Sequence, residues 1–295
     1  MVLANGTHPF VYASIAAASA GVRVGQWLHD PPPFSDGNVG MDEHLVHLLR
    51  GDALLLCNSR FTLRAAEKTR PAGARLALTP PGQAVHPGDD TTTREARLQW
   101  GLRDDQVVLG FAGRMGALKG VWHLAHALTA RADLAGRVQL FLVGGDNLGR
   151  EGGVATRVGE MLRAAGYHVV MPGHVQDLRP CLLAMDFLVA PSVFPETFGL
   201  SVLEAMAFGL PVIASRIGAL PELVVDGETG WVVPPGDEPA LGNAVAAAVM
   251  DAAERTRRGQ RARALVKRRY SIERMVHAFE TAVAGADTSL VGDAL

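Results

Sequence analysis

One pattern constrains this chain more than any other. Short apolar runs rich in β-branched residues, such as VVLGFA (Val107–Ala112) and VQLFLV (Val138–Val143), each lead into a Gly-rich or polar loop and usually then an Ala/Leu-rich segment of helical period. Strands joined through helices pair in parallel, so the pattern predicts an α/β chain built of βα units and excludes a helical bundle. The series starts twice. Strands are expected near residues 1–4, 22–28, 53–57 and 76–79, and again near 107–112, 138–143, 168–171, 187–190 and 211–214. Between the two series, TPPGQAVHPGDDTTT breaks the periodicity and reads as a linker, with REARLQWGL as a lead-in helix. A length of 295 residues accommodates two such domains, so two Rossmann-like halves are expected. The basic run ending at Tyr270 and the amphipathic run after it predict two consecutive helices.

Bulk properties remove several function classes. A formal charge of -2 gives no global attraction to nucleic acid, which is not expected as a partner. Cys57 and Cys181 each sit in an apolar run without metal-ligand spacing and read as buried thiols of a reducing compartment. No apolar run approaches the ~18 residues that span a bilayer, and the N-terminus lacks a basic-then-apolar leader, so a cytoplasmic location is expected. The basic residues between Arg255 and Arg269 could attract anionic lipid, but interleaved Ala and Leu fit a helix with one solvated face better.

The loops after the strands carry the chemistry, because ligands of open parallel sheets bind beyond the strands' carboxyl ends. GFAGRMGALKGV places Arg114 and Lys119 among Gly113, Gly116 and Gly120, a composition that suits a diphosphate. Standing alone, it fits an ordinary βα turn with solvated bases better, and its spacing is not that of a P-loop. VGGDNLGREGG does not match the dinucleotide fingerprint. PSVFPETFGLSVLEAMAFG places the amides of Phe198, Gly199 and Leu200 at a helix N-terminus, with Glu196 before it and Glu204 one turn inside. Amides there hold phosphate, and each acid can accept hydrogen bonds from sugar hydroxyls, so the set suits a nucleotide sugar. The same residues fit an S-x-x-E capping box, with Ser201 as cap and Glu196 a solvated turn residue, equally well. Two histidine pairs, in DEHLVH and WHLAHA, lack an evident third metal ligand, and no Asp-x-Asp motif is present to hold a divalent ion on a diphosphate. No metal and no cofactor are expected.

Taken together, FAGRMGALKGVWHLAHAL, LFLVGGD, VAPSVFPETFGLSVLEAMAFGLPVIAS, IGALPELVVDGETGWVVPPGD and RRYSIERMV resemble, in order, the retaining glycosyltransferases of family 4, which have the GT-B fold of two Rossmann-like domains facing a cleft. The resemblance implies a hexosyltransferase acting on a nucleotide-diphosphate sugar. Glu196 and Glu204 fall on the family's Glu-x7-Glu motif. They would contact the donor sugar and the ribose, while Arg114 and Lys119 would hold the diphosphate. Val175 in PGHVQDL would make a backbone contact to the nucleobase, Glu222 in GALPELV is assigned no chemistry, and His29 in VRVGQWLHD would contact the sugar. The domains implied are 1–95 on the acceptor side, 96–270 for the nucleotide sugar, and 271–295 as a helix crossing back to the first domain, with a tail. The first part resembles only the back half of a family N-terminal domain, so either Met1 is a start placed inside a longer gene or the chain is a truncated homologue. The expected partners are a nucleotide sugar and a glycan, lipid or small-molecule acceptor, with peripheral contact at the inner face of a membrane allowed. A nucleotide-sugar-binding subunit without transfer activity is the alternative, and a GT-B phosphorylase or epimerase is a more distant one.

Overall fold

The computed structural model describes residues 2–5, 24–28, 53–69, 73–85, 92–146 and 152–285, and His29 lies outside them. Two compact units divide the chain, residues 1–82 with 269–295, and residues 83–268. In the first unit, β1 (Val2–Asn5), β2 (Val24–Leu28), β3 (Leu54–Cys57) and β4 (Arg75–Leu78) form a parallel sheet in that order. The four residues of β3 are wholly buried, as a central parallel strand requires. Helix α1 (Arg60–Thr69) starts where the Ser59 hydroxyl accepts the Thr62 amide, which satisfies one free donor of its first turn. The last helix of the chain, which we number α10 (Ile272–Ala284), lays Phe279, Ala282 and Val283 against Leu54, Leu56 and Ala77. Gly82 admits this packing: a Cβ there would lie 2.7 Å from the Ser271 carbonyl oxygen.

The second unit holds β5 (Val107–Ala112), β6 (Val138–Val143), β7 (His168–Gly173), β8 (Phe187–Ala190), β9 (Val212–Ser215) and β10 (Gly230–Val233). They pair in parallel in the order β10-β9-β8-β5-β6-β7. Its helices are α2 (Thr93–Gln99), α3 (Val121–Thr129), α4 (Val154–Ala164), α5 (Arg179–Ala184), α6 (Leu200–Ala207), α7 (Leu220–Leu223), α8 (Glu238–Met250) and α9 (Ala252–Arg269). The core of this unit joins β5 and β6 to α3, α4 and α8, around Leu109, Leu124, Leu128, Leu140, Leu162 and Val245. One buried polar residue interrupts β6. Gln139 exchanges two hydrogen bonds with the backbone of Arg103, so its burial leaves no amide group stranded. Asp186 accepts from the Val108 amide and from buried Arg97, each at 2.7 Å, and so fastens α2 to the start of β5.

The expected elements of this unit are present, with β5, β6 and β8 at their expected bounds. Strand β10 was not expected. Its four residues start at Gly230 and stop before two prolines, too short a run for period-two alternation to register, and it is held by its pairing with β9. Among the described residues, no helix is long and apolar enough to cross a membrane.

Candidate active site

Order β8-β5-β6-β7 brings four loops together at the carboxyl ends of the strands. They are bolted to one another through backbone. The Gly113 amide donates to the Val143 carbonyl, the Met115 amide to that of Gly145, and the Gly144 amide to that of Gly173. The loop after β5 then makes a 3-10 turn, Ala117–Lys119, and its Leu118 carbonyl accepts the amides of Val193 and Phe194 from the loop after β8. Gly120 closes this contact in the left-handed region at φ +71°, where a Cβ would stand 1.9 Å from the Pro191 oxygen.

Two of the expected site residues meet directly. The Lys119 ammonium donates to Glu196 Oε1 at 2.6 Å, joining residues 77 apart in sequence. The hydroxyl of Ser192, buried at the end of the β8 run, donates to the same oxygen at 2.6 Å. No described residue donates to Oε2. The backbone of Glu196 is held from the other side: its carbonyl accepts the Ala219 amide, and Gly218 packs so closely that a Cβ would lie 2.3 Å from that oxygen.

Helix α6 starts one loop later, and its N-cap is Gly199 at φ +101° with no side-chain cap. Ser201 is therefore inside the helix as its second residue, and the capping box that the spacing allowed does not form. The amides of Gly199, Leu200 and Ser201 donate to no described residue, whereas Val202 and Leu203 already bond the Gly199 carbonyl. Phe198 is buried behind this turn and Leu200 is exposed. By contrast, the Gly-rich loop after β6 leads to a helix whose first amides are occupied. Asp146 accepts from Gly153 at 3.0 Å and Ala155 at 2.6 Å, so that N-terminus is no place for an anion.

The other expected residues are placed as follows. Arg114 is exposed and has no partner among the described residues. Val175 is half-buried in the loop after β7. His123 and His126 both direct Nδ1 to Glu238 Oε1, at 2.9 and 3.0 Å, and among the described residues no group of side chains could hold a metal ion. Sequence reasoning overlooked Ser192 and Gly218. The first had a signal, a hydroxyl where β8 ends, four residues before Glu196; the second becomes visible only through contact.

Glu204 is half-buried in α6 and its carboxylate takes no hydrogen bond from a described residue. Burial first, and then the charge of Asp177, push this carboxyl above its ordinary value. A carboxyl raised on folding stabilises the fold when protonated, and that contribution is lost as pH rises through the raised value. Glu204→Gln is therefore expected to unfold at a higher temperature than the parent at pH 7, with the difference vanishing below the ordinary carboxylate pKa of about 4.3. Thermal melts across this pH range check it, and a lower melting temperature at pH 7 would refute it.

Residues 106–251 match the family described as glycosyl transferases group 1. Over these residues the chain is similar to the group 1 glycosyl transferases. The chain is 34% identical over 246 residues to a D-inositol 3-phosphate glycosyltransferase of Stackebrandtia nassauensis, in a match covering 77% of this chain and 52% of that protein. It is 29% identical over 235 residues to a lipopolysaccharide 1,2-N-acetylglucosaminetransferase of Salmonella typhimurium, covering 78% and 61% respectively. The chain thus spans about half to three-fifths of these curated relatives. Among solved structures it is similar to Anabaena HepE in complex with UDP and glucose, at TM-score 0.84 and 23% identity, covering 96% of this chain and 77% of that one. Sucrose-phosphate synthase from Thermosynechococcus elongatus matches at TM-score 0.80 and 24% identity, covering 96% and 72%. The fold is that of the GT-B glycosyltransferases.

Proposed function

We propose that this chain binds a nucleotide-diphosphate sugar at the carboxyl ends of β5, β6, β7 and β8 and transfers the sugar to an acceptor hydroxyl with retention of configuration. One observation carries the reading. Glu196, gripped by Lys119 and Ser192, stands before the first amides of α6, which donate to no described residue, while Glu204 lies half-buried one turn inside that helix with no donor among the described residues. Two carboxylates needing hydroxyls, on either side of an anion-ready turn, suit a sugar and a ribose joined by a diphosphate.

In this reading Glu196 contacts the donor sugar and Glu204 the ribose. Arg114, the remaining N–H groups of Lys119 and the α6 amides take up the charge that grows on the departing diphosphate, each such donor being worth about 2.7–4 kcal/mol in a site shielded from water. The acceptor hydroxyl attacks the face that the diphosphate leaves, and a phosphate oxygen takes its proton, so no side chain serves as base. Val175 meets the nucleobase through its backbone, and His29 contacts the sugar. Likeness to HepE, crystallised with UDP-glucose, makes UDP-glucose the first donor to try. The acceptor is a glycan, a lipid or a small molecule. We place the protein in the cytoplasm, at the inner membrane face where the acceptor is a lipid.

Titration with UDP and UDP-glucose, followed by assays of donor hydrolysis and transfer, tests the proposal. Binding with turnover is the expected result. Failure to bind UDP or any UDP-sugar would overturn it, and binding with neither hydrolysis nor transfer would favour a donor-binding subunit.

A further inference from the structure

We infer that Ser192 is a positioning residue that, with Lys119, holds Oε1 of Glu196 and so leaves Oε2 as the oxygen that meets the hydroxyls of the donor sugar. The inference rests on the donor reading above and assigns a residue that the reading itself does not need.

A free carboxylate offers two oxygens and about four acceptor directions, and can bridge two neighbouring hydroxyls. In Glu196 one of the two oxygens is already taken. Its Oε1 already accepts the Lys119 ammonium and the Ser192 hydroxyl, each at 2.6 Å, distances typical of charge-assisted bonds. Oε2 takes no hydrogen bond from a described residue. The two donors also differ in permanence. Lys119 is one-third exposed on a long flexible stem, whereas Ser192 is 3% exposed and carries its hydroxyl on a single carbon. An ammonium with three N–H groups can turn toward an arriving phosphate, while the Ser192 hydroxyl cannot leave. Ser192 therefore keeps the carboxylate oriented when the donor competes for Lys119.

The backbone around the pair is built to the same end. Ser192 and Glu196 are four residues apart on a loop pinned to Leu118 through the amides of Val193 and Phe194, and to Ala219 through the Glu196 carbonyl. With both ends of the loop fixed, the rotation of the carboxyl group is the remaining freedom, and Ser192 removes it.

The test compares UDP, which lacks the sugar, with UDP-glucose on the full chain. Ser192→Ala is expected to leave UDP affinity within about twofold and weaken UDP-glucose about tenfold, the usual effect of losing a hydrogen bond to a charged group. Ser192→Thr, which retains the hydroxyl, is expected to restore most of the difference. Equal weakening of UDP and UDP-glucose would mean that Ser192 only supports the fold, and an unchanged UDP-glucose affinity would mean that it orients nothing; either overturns the inference. A parent chain that binds neither ligand fails at the donor reading itself, an outcome distinct from these.

Discussion

Glu196→Ala and Lys119→Ala are each expected to lower sugar transfer by a factor on the order of 10²–10³, the loss typical of removing one preorganised electrostatic contact in a transfer site. The two should fail differently. Without Glu196 the nucleotide and diphosphate still have their contacts, so UDP affinity holds while UDP-glucose affinity and turnover fall. Without Lys119 the diphosphate loses its mobile cation, so UDP affinity falls as well. Neither change should unfold the chain, because the pair is partly solvated, with side chains 33% and 18% exposed, and exposed ion pairs contribute about 0–1 kcal/mol. Steady-state kinetics beside a thermal melt separates the cases. Unchanged turnover in both variants would remove these residues from the chemistry.

Gly120→Ala should be among the most damaging small substitutions in the second unit. The left-handed backbone alone costs an alanine about 1–2 kcal/mol. Beyond that, its Cβ would stand 1.9 Å from the Pro191 carbonyl oxygen, which is backbone and cannot swing aside. Relief requires the loops after β5 and β8 to part, and the bonds from Val193 and Phe194 to Leu118 break with them. Gly136 is the matched control, at φ +82° with nothing within 4 Å of an added Cβ. Gly136→Ala should lose only the backbone cost, a few degrees in melting temperature, since 1 kcal/mol shifts a domain of this size by about 2–4 °C. Gly120→Ala should lose clearly more, and UDP-glucose binding with it. Equal effects of the two would show that the contact with Pro191 is not what demands glycine.

Much of the second unit was legible in the sequence because its signals are local. A run such as VQLFLV has all six residues buried in β6, and the break at Tyr270 separates α9 from α10 where the pattern changes. Local signals also misled. S-x-x-E at Ser201 to Glu204 is a legitimate cap by spacing, yet the helix begins two residues earlier because Gly199 takes a left-handed conformation against Leu220. A side chain added at Gly199 would come within 2.9 Å of that leucine, a constraint that spacing does not encode.

By itself, the sequence determined the kind of sheet, the loops in which ligand-binding residues would stand and the acids and bases available there, since periodicity and glycine placement are written within a dozen residues. Only the tertiary structure decided which of them meet. Lys119 reaches Glu196 because β5 and β8 are neighbours in a sheet whose order is not the order of the chain, and Ser192 matters because that pairing aims its hydroxyl at the same oxygen. Strand order is settled by how whole helices and strands pack, and no window of sequence short enough to read by period contains it.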